Sequence, residues 1–156
     1  MPDGNNNNWI PPVSFYFNVV FQWGSQQATA SFMEVSGLEM SMTTKMIHPL
    51  GDDGGQLLPT GEINHSNIVL KRPLEAIDKE IAKWVKECFS FMIGNNKIRP
   101  CLLLISLLDP DNQPYASWKC SQAFPIKWSL SPMNSEESKL SIETLTLKCK
   151  TLERVS

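Results

Sequence analysis

The chain has 156 residues, of which 42% are hydrophobic and 19% are charged, and its formal net charge is −2. This length and composition predict one folded domain that buries a core of its own. A net charge this small supplies no basic stripe for a phosphate backbone, so it argues against recognition of nucleic-acid sequence.

The first twelve residues, MPDGNNNNWIPP, are polar and carry no basic residue before an apolar run. We predict a disordered or extended segment over residues 1–12 rather than a signal peptide. No later run approaches the roughly 20 apolar residues of a membrane span. We therefore predict no transmembrane segment and expect synthesis in the cytoplasm.

Residues 13–21, VSFYFNVVF, alternate between an apolar face and a polar face that carries Ser14 and Asn18. This alternation is typical of a half-buried strand. Gly24-Ser25 predicts a turn into a second strand over residues 27–35.

Ser36-Gly37 predicts a bulge or sharp bend, because glycine accepts backbone angles that other residues avoid. Beyond it, methionines alternate with polar residues, which places Glu39, Ser41 and Thr43 on the polar face of a further strand. The stretch HPLGDDGGQLLPTGEINH, residues 48–65, predicts a long functional or mobile loop.

After a short strand over residues 66–72, the apolar period changes to that of an amphipathic helix. Pro73 suits its first turn and Gly94 its end. Residues 101–109, CLLLISLLD, are apolar on both faces and predict the most buried strand.

Two further strands are predicted over residues 115–120 and 122–129, with Pro125 at an edge or bulge because it lacks an amide donor. The last strand, residues 140–150, slips in phase at Glu143-Thr144, which predicts a second bulge. Together these elements predict a mainly β fold, an antiparallel barrel or sandwich of about seven or eight strands with one helix outside, in a single domain over residues 13–156.

Catalytic and metal-binding patterns are missing from the sequence. The two histidines, His48 and His65, lie in or beside the long loop without a metal-ligand spacing, and Asp52-Asp53 lacks the alternating ligands of a calcium loop. The four cysteines, Cys88, Cys101, Cys120 and Cys149, are spread out and predict small buried hydrophobic residues in a reducing compartment. We predict no enzyme, no cofactor and no metal.

Four sequence blocks, in order, resemble the tail tube proteins of contractile phages and phage tail-like particles. FMEVSGLE resembles the F-x-E-V-S-G-L-x signature of that family, and LLPTGEINHSNIVLKR resembles its later turn and N-I-x-L-K-R strand. ISLLDPDNQPYASWKCSQAFPIKW and SKLSIETLTLKC are similar to its following strands and to its closing strand. Pro73 stands where the family often has glycine, and Lys148-Cys149-Lys150 replaces an acidic-histidine-glycine stretch.

The resemblance implies hexameric rings whose strands join into one continuous inner β-barrel, with the rings stacked into a rigid tube. The implied partners are further copies of the chain, a contractile sheath, baseplate or spike proteins, a tube terminator and cargo in the lumen. The implied location is a phage tail or an injection particle. The departures leave open the major tube subunit or an initiator ring that seats the tube on the baseplate.

On this interpretation, polar alternates face the lumen, and the bend and the loop contact neighbouring subunits. The lumen-facing candidates are Ser14, Asn18, Ser41 and Thr43. The interface candidates are Glu34, Ser36, Gly37, Glu39, His48, Asp52, Asp53, Leu57 and Leu58. Glu34 and Glu39 are interpreted as structural or interface groups, paired with Lys45 or Lys71, or as solvated side chains.

Two alternatives stay open at this point. The type VI secretion tube shares the implied fold, although the A-F-P-x-K-W and I-E-T-L blocks favour a phage tail-like particle. A monomeric β-barrel could instead bind an apolar ligand between the face of Phe15, Phe17, Val19 and Phe21 and the strand CLLLISLL.

Overall fold

A computed structural model of the chain describes residues 16–51, 53–73, 79–90, 94, 99–131 and 141–156. Its strands and its helix, in chain order, are β1 (Tyr16–Trp23), β2 (Gln26–Phe32), β3 (Glu34–Ser36), β4 (Met40–Ile47), β5 (Gln56–His65), β6 (Ile68–Pro73), α1 (Lys79–Phe89), β7 (Cys101–Leu108), β8 (Pro114–Leu130), β9 (Ile142–Lys148) and β10 (Thr151–Arg154). All strand pairs are antiparallel, so the predicted fold class is confirmed. The predicted N-terminal segment, residues 1–12, lies outside the described residues.

The main sheet has the order β2-β1-β7-β8-β9-β6-β3, and β10 also pairs with β8. Its two end strands, β2 and β3, follow one another in the chain. They are joined at Met33, whose N–H donates to the carbonyl of Lys71 in β6 at 2.9 Å. The sheet therefore curls back on itself into a barrel, and the 17-residue strand β8 is long enough to pair with β7 first and with β9 afterwards.

The core fills this barrel and is covered by the apolar stripe of α1. Val19, Phe21 and Trp23 alternate inward from β1 and are buried, as the sequence pattern predicts. Trp84 of α1 lies 6.0 Å from the ring of Phe21 and 5.8 Å from that of Trp23, measured between centroids. Its indole N–H donates to the carbonyl of Arg99 at 2.8 Å, which satisfies the one polar atom of this buried side chain.

The predicted second strand, residues 27–35, is divided at Met33, three residues before the predicted bend begins at Ser36. The division arises because β2 pairs with β1 whereas β3 pairs with β6. Gly37 has a φ of +87°, and a Cβ at this position would lie 1.9 Å from the carbonyl oxygen of Asn67. Glycine is therefore required where the chain leaves the barrel after β3.

Replacing Gly37 by alanine should lower the free energy of unfolding by about 2–4 kcal/mol, because both the backbone angle and the contact with Asn67 become unfavourable. Gly24→Ala is the matched control. Gly24 also has a positive φ, +59°, but nothing lies within 4 Å of a Cβ there. Gly24→Ala should therefore lower the free energy of unfolding by only about 1–2 kcal/mol. Urea unfolding of both variants measures the difference, and equal losses would contradict the close approach.

The prediction of a long loop over residues 48–65 is wrong for residues 56–65. These residues form β5, which pairs with β4 in a separate two-stranded sheet. Pro59 and Gly61 obscure the strand in the sequence. The pairing accommodates them through a bulge, where the register passes from Met42↔Ile63 to Thr44↔Pro59.

Three other predicted details differ. Pro73 ends β6 and does not start the helix. No bulge occurs at Glu143-Thr144, because both residues pair in regular register with β6 and β8. The irregularity lies in β8 between Pro125 and Lys127, which agrees with the prediction that Pro125 requires an edge or a bulge. The strands predicted over residues 115–120 and 122–129 are the single strand β8.

The strand β7 is buried on one face only. Cys101, Leu103 and Ile105 face the core, whereas Leu104 on the opposite face is 40% exposed. The strand predicted to be the most buried therefore has one partly exposed apolar face in the single chain.

Candidate assembly surface

The β4–β5 hairpin carries almost no buried side chain. Every described residue from Met40 to Met46 and from Gln56 to Asn64 is exposed. Two strands alone are at best marginally stable in water, because they lack a core. The hairpin therefore needs a packing partner that the single chain does not provide within its described residues.

The two faces of the hairpin differ in chemistry. Residues opposite each other in an antiparallel pair share a face, and the face alternates along each strand. The apolar hairpin face carries side chains between 53% and 64% exposed: Met40, Met42, Met46, Leu57 and Ile63. The polar hairpin face carries Ser41, Thr43, Lys45, Gln56 and Asn64, and it also includes Ile47 and Leu58.

The predicted candidates on the hairpin fall on both of these faces. Leu57 pairs with Met46 on the apolar hairpin face, but Leu58 pairs with Lys45 on the other face. Ser41 and Thr43, predicted to face a lumen, lie together on the polar hairpin face, where the Thr43 hydroxyl is 2.5 Å from that of Thr60.

The other two lumen candidates lie elsewhere. Asn18 sits in the barrel wall on β1, opposite Ser31 and Ser106, and is half-buried. Ser14 lies outside the described residues. Of the three described candidates, Asn18 therefore lies apart from Ser41 and Thr43 in the single chain.

The base of the hairpin is fixed by the two carboxylates of the SFMEVSGLEM stretch. Glu34 faces Lys71 across β3 and β6, with 3.8 Å between Oε1 and Nζ. Glu39, directly before β4, accepts a hydrogen bond at 2.5 Å from the hydroxyl of Ser66, directly after β5. The interpretation of Glu34 as a partner of Lys71 is confirmed, and Ser36 continues the same pairing opposite Val69.

The tip of the hairpin holds His48 and Asp53. The ring of His48 packs on Gly55, since a Cβ at Gly55 would lie 2.8 Å from Cε1 of the histidine. Asp53 is exposed in the turn, and Asp52 lies outside the described residues. His48 and Asp53 lie at the opposite end of the hairpin from the carboxylates at its base.

His65, at the end of β5, is bound to the C-terminal segment and is not solvated as a loop residue. Its Nε2 lies 2.9 Å from the carbonyl oxygen of Lys150, and its Nδ1 lies 3.8 Å from Sγ of Cys149. A hydrogen bond from the Cys120 thiol lowers the pKa of Cys149 to about 7; burial acts in the opposite direction, and His65 lowers the pKa further. The sequence gives no sign of this contact, because 84 residues separate the two partners.

A second group missed in the sequence is the Arg72–Glu143 pair at the barrel wall. The Arg72 Nε donates to Glu143 at 2.9 Å, and the indole N–H of Trp128 donates to the other carboxylate oxygen at 2.6 Å. The guanidinium also lies 5.3 Å from the centre of the Phe32 ring. Glu143 therefore points inward beside Leu145, and this explains the apparent slip in phase that the sequence shows there.

Glu143→Gln should lower the free energy of unfolding by about 1–3 kcal/mol, because it leaves a half-buried guanidinium without its charged partner. The side chains of Arg72 and Glu143 are only 16% and 12% exposed. Those of Lys71 and Glu34 are 38% and 53% exposed, so the control Glu34→Gln should change stability by less than about 0.5 kcal/mol. Denaturant midpoints of the two variants test this, and a larger loss for Glu34→Gln would contradict it.

Within the described ranges, no group of three or more histidine, cysteine, aspartate or glutamate side chains is arranged to hold a metal ion. The helical residues that the structure describes do not include a segment with the length and hydropathy that a membrane crossing requires.

Solved structures titled as Hcp1 and as a type six secretion system protein share this mainly antiparallel fold with its single helix. A family profile described as T4-like virus tail tube protein gp19 matches residues 13–153, and the chain belongs to this family. The resemblance found in the four sequence blocks is thereby confirmed. No curated protein sequence matched the chain.

Solved structures with the same fold come from several assemblies. A chain titled as the baseplate of the anti-feeding prophage, with six-fold symmetry, aligns over 93% of this chain and 95% of its own, at 20% identity and a TM-score of 0.71. A chain of the PVC extracellular contractile injection system, from its extended sheath-tube complex, aligns over 88% of both chains at 21% identity and a TM-score of 0.64. Hcp1 from Flavobacterium johnsoniae aligns over 88% of this chain and 94% of its own at 12% identity and a TM-score of 0.54.

Proposed function

We propose that this chain is a subunit of the inner tube of a contractile injection system or phage tail. Hexameric rings stack into a conduit that sheath contraction drives into a target. The single observation that carries the proposal is the apolar hairpin face, which a lone chain leaves in water.

Burial of the apolar hairpin face supplies the association energy. Removing a side chain such as Met42 or Ile63 from water stabilises by about 1.5–3 kcal/mol when burial is complete. Five such side chains on one face of a two-stranded sheet make a surface suited to a neighbouring subunit. Methionine adapts to irregular gaps, which suits a contact repeated around a ring and between rings.

The polar hairpin face then lines the lumen. In a wall one sheet thick, a side chain that does not pack against protein meets water. Ser41 and Thr43 lie on the face opposite Met42, so packing Met42 on a neighbour turns them toward the channel.

Unpaired strand edges complete the ring. The outer sides of β4 and β5 have no partner strand among the described residues, nor does the side of β8 opposite β9 beyond Ala123. Free edges invite pairing with other chains, and closure into a ring removes them. A head-to-tail stack of rings is a heterologous contact and gives an open filament.

A second candidate role within the same assembly is the initiator ring that seats the tube on the baseplate. It is favoured by the TM-score of 0.71 with the baseplate chain, against 0.64 with the chain from the sheath-tube complex. Both roles imply the same partners: further copies of the chain, the sheath, the baseplate and spike, and a terminator.

The interior that a monomeric ligand carrier would use is filled with packed side chains in the described part of the chain. Val19, Phe21, Leu103 and Ile105, which this alternative places around a ligand, are each 0% exposed and belong to one packed cluster.

Native mass spectrometry and negative-stain imaging of the purified chain test the proposal. The expected particle has six times the mass of the 17.6-kDa chain. Long tubes would identify the major tube subunit, and particles that stop at one or two rings would identify the initiator. A monomer at every concentration would refute both.

A further inference from the structure

Three of the seven methionines of the chain lie on one strand of the hairpin. Met40, Met42 and Met46 belong to β4, and the side chain of each is 53% exposed. None of the described residues over positions 40–46 and 56–64 is buried, so the hairpin supplies no cover for these side chains. In the free subunit all three therefore meet solvent.

Methionine is the one residue type on the apolar hairpin face that a mild oxidant can modify. Its thioether sulfur takes up one oxygen atom and becomes a sulfoxide, which converts a flexible apolar side chain into a polar one. The other large apolar side chains of this face, Leu57 and Ile63, have no reactive atom. The sulfur carries no proton, so the reaction requires access from solvent but no neighbouring base.

We propose that Met40, Met42 and Met46 form an oxidation site, at which hydrogen peroxide turns off the apolar hairpin face as a docking surface for a second copy of the chain. The effect on assembly rests on the proposed function, whereas the modification requires only the single chain. A ring that covers this face also covers the three thioethers. Peroxide therefore inactivates subunits that have not assembled and spares those in a finished ring.

The atoms balance in one reaction for each methionine. A lone pair of the thioether sulfur attacks one peroxide oxygen, an S–O bond forms and the O–O bond breaks. The departing hydroxide takes the proton from the oxygen that is now bound to sulfur, which gives water and the sulfoxide. The sulfur loses two electrons and the peroxide gains them.

Assembly should respond to this modification, whereas the fold should not. The core cluster of the described residues includes none of the three methionines, so their oxidation removes no core contact within the chain. A sulfoxide on the apolar hairpin face, however, loses its hydration when a neighbouring subunit covers it. Met33 provides a reference thioether outside the hairpin, because it is 48% exposed and lies between β2 and β3.

Peroxide treatment of the dilute full chain, followed by digestion and mass spectrometry, locates the added oxygen atoms. We expect the three hairpin methionines to react about as fast as Met33 in the dilute chain, and more slowly in preformed rings. Three methionines that stay unmodified while Met33 reacts, or that react equally fast in rings, would overturn the proposal.

Sedimentation velocity of the oxidised chain measures the effect on assembly. The concentration needed for assembly should rise by at least about 10-fold, because each sulfoxide removes most of the gain from burying one side chain. The circular dichroism spectrum should stay unchanged, and treatment with methionine sulfoxide reductase should restore assembly. A concentration that does not rise after complete oxidation would overturn the proposal.

Two variants separate the hairpin thioethers from the rest of the chain. The triple variant Met40→Leu, Met42→Leu and Met46→Leu retains Met33 and all four cysteines. Peroxide should leave its assembly concentration, whatever the starting value, unchanged. Met33→Leu should lose assembly on treatment as the wild type does. A triple variant that peroxide still inhibits, or a Met33→Leu chain that becomes resistant, would overturn the proposal.

The same measurements distinguish the failure of this proposal from the failure of the proposed function. A chain that forms no rings before any treatment would refute the tube, and the oxidation switch with it. Rings that form equally well before and after complete oxidation would refute the switch alone.

Discussion

Met42→Glu should abolish ring and tube formation while the chain stays folded. The side chain of Met42 is 53% exposed in the single chain, so its replacement leaves the core intact. In the proposed assembly it lies within the buried apolar hairpin face, where a carboxylate without a partner costs several kcal/mol. We expect the concentration needed for assembly to rise by at least about 100-fold, which corresponds to roughly 2.7 kcal/mol per contact.

Ser41→Glu is the matched control for this variant. It adds the same charge one residue away on the same hairpin, but on the polar hairpin face. Rings should still form, because a charge in a watery lumen stays hydrated and screened. Sedimentation velocity measures assembly and circular dichroism verifies folding. Loss of rings in both variants, or in neither, would contradict the division of the hairpin into a packed face and a lumen face.

Trp84→Ala should give the largest loss of stability, about 3–5 kcal/mol, because it removes the largest buried side chain that α1 packs on the barrel core. Trp84 is 1% exposed and stacks on Trp23. Trp84→Phe keeps the ring contacts but leaves the Arg99 carbonyl without its donor, so it should cost about 1–2 kcal/mol. Guanidinium unfolding curves provide both values.

Trp128→Ala is the control for the same residue type. Trp128 is 41% exposed, and its loss removes mainly one hydrogen bond to Glu143. We therefore expect Trp128→Ala to lower the free energy of unfolding by about 1 kcal/mol. If Trp128→Ala proved as costly as Trp84→Ala, the core would not be centred on the contact between α1 and β1. The two kinds of variant also separate the readouts: Trp84→Ala should impair folding and assembly together, whereas Met42→Glu should impair assembly alone.

The parts of the fold that are visible in the sequence are those with a regular period. The alternation through Val19 and Phe21 predicts β1, and the stripe through Ile81, Trp84 and Val85 predicts α1, because burial of one face imposes each period directly. Both elements form as predicted. The family is also readable, since four blocks in order are a more specific signal than any single one.

The parts that escape prediction depend on contacts between distant positions. Pro59 and Gly61 read as loop residues, and only the bulge opposite Thr43 makes them compatible with a strand. In the sequence, Glu143 interrupts the apolar alternation of the last strand. Its inward position is explained only by the ion pair with Arg72, which lies 71 residues away in the chain. No local pattern could reveal these pairings, because tertiary contacts alone decide them.

The candidate assembly surface was predictable in part. The alternation after Gly37 predicts Ser41 and Thr43 on a polar face, where the structure has them, and the ion pair of Glu34 with Lys71 also forms. The opposite orientations of Leu57 and Leu58 depend on the strand pairing of residues 56–65. A loop interpretation of these residues does not predict them. The assignment of each candidate to a lumen or an interface remains a prediction.

A cryo-EM map of the assembled wild-type chain tests the central claim most directly. We predict a six-fold ring in which the hairpin of each subunit packs Met42 and Ile63 against a neighbour and turns Ser41 toward the channel. A map in which the hairpin projects freely into solvent, or a particle that holds only one chain, would contradict it.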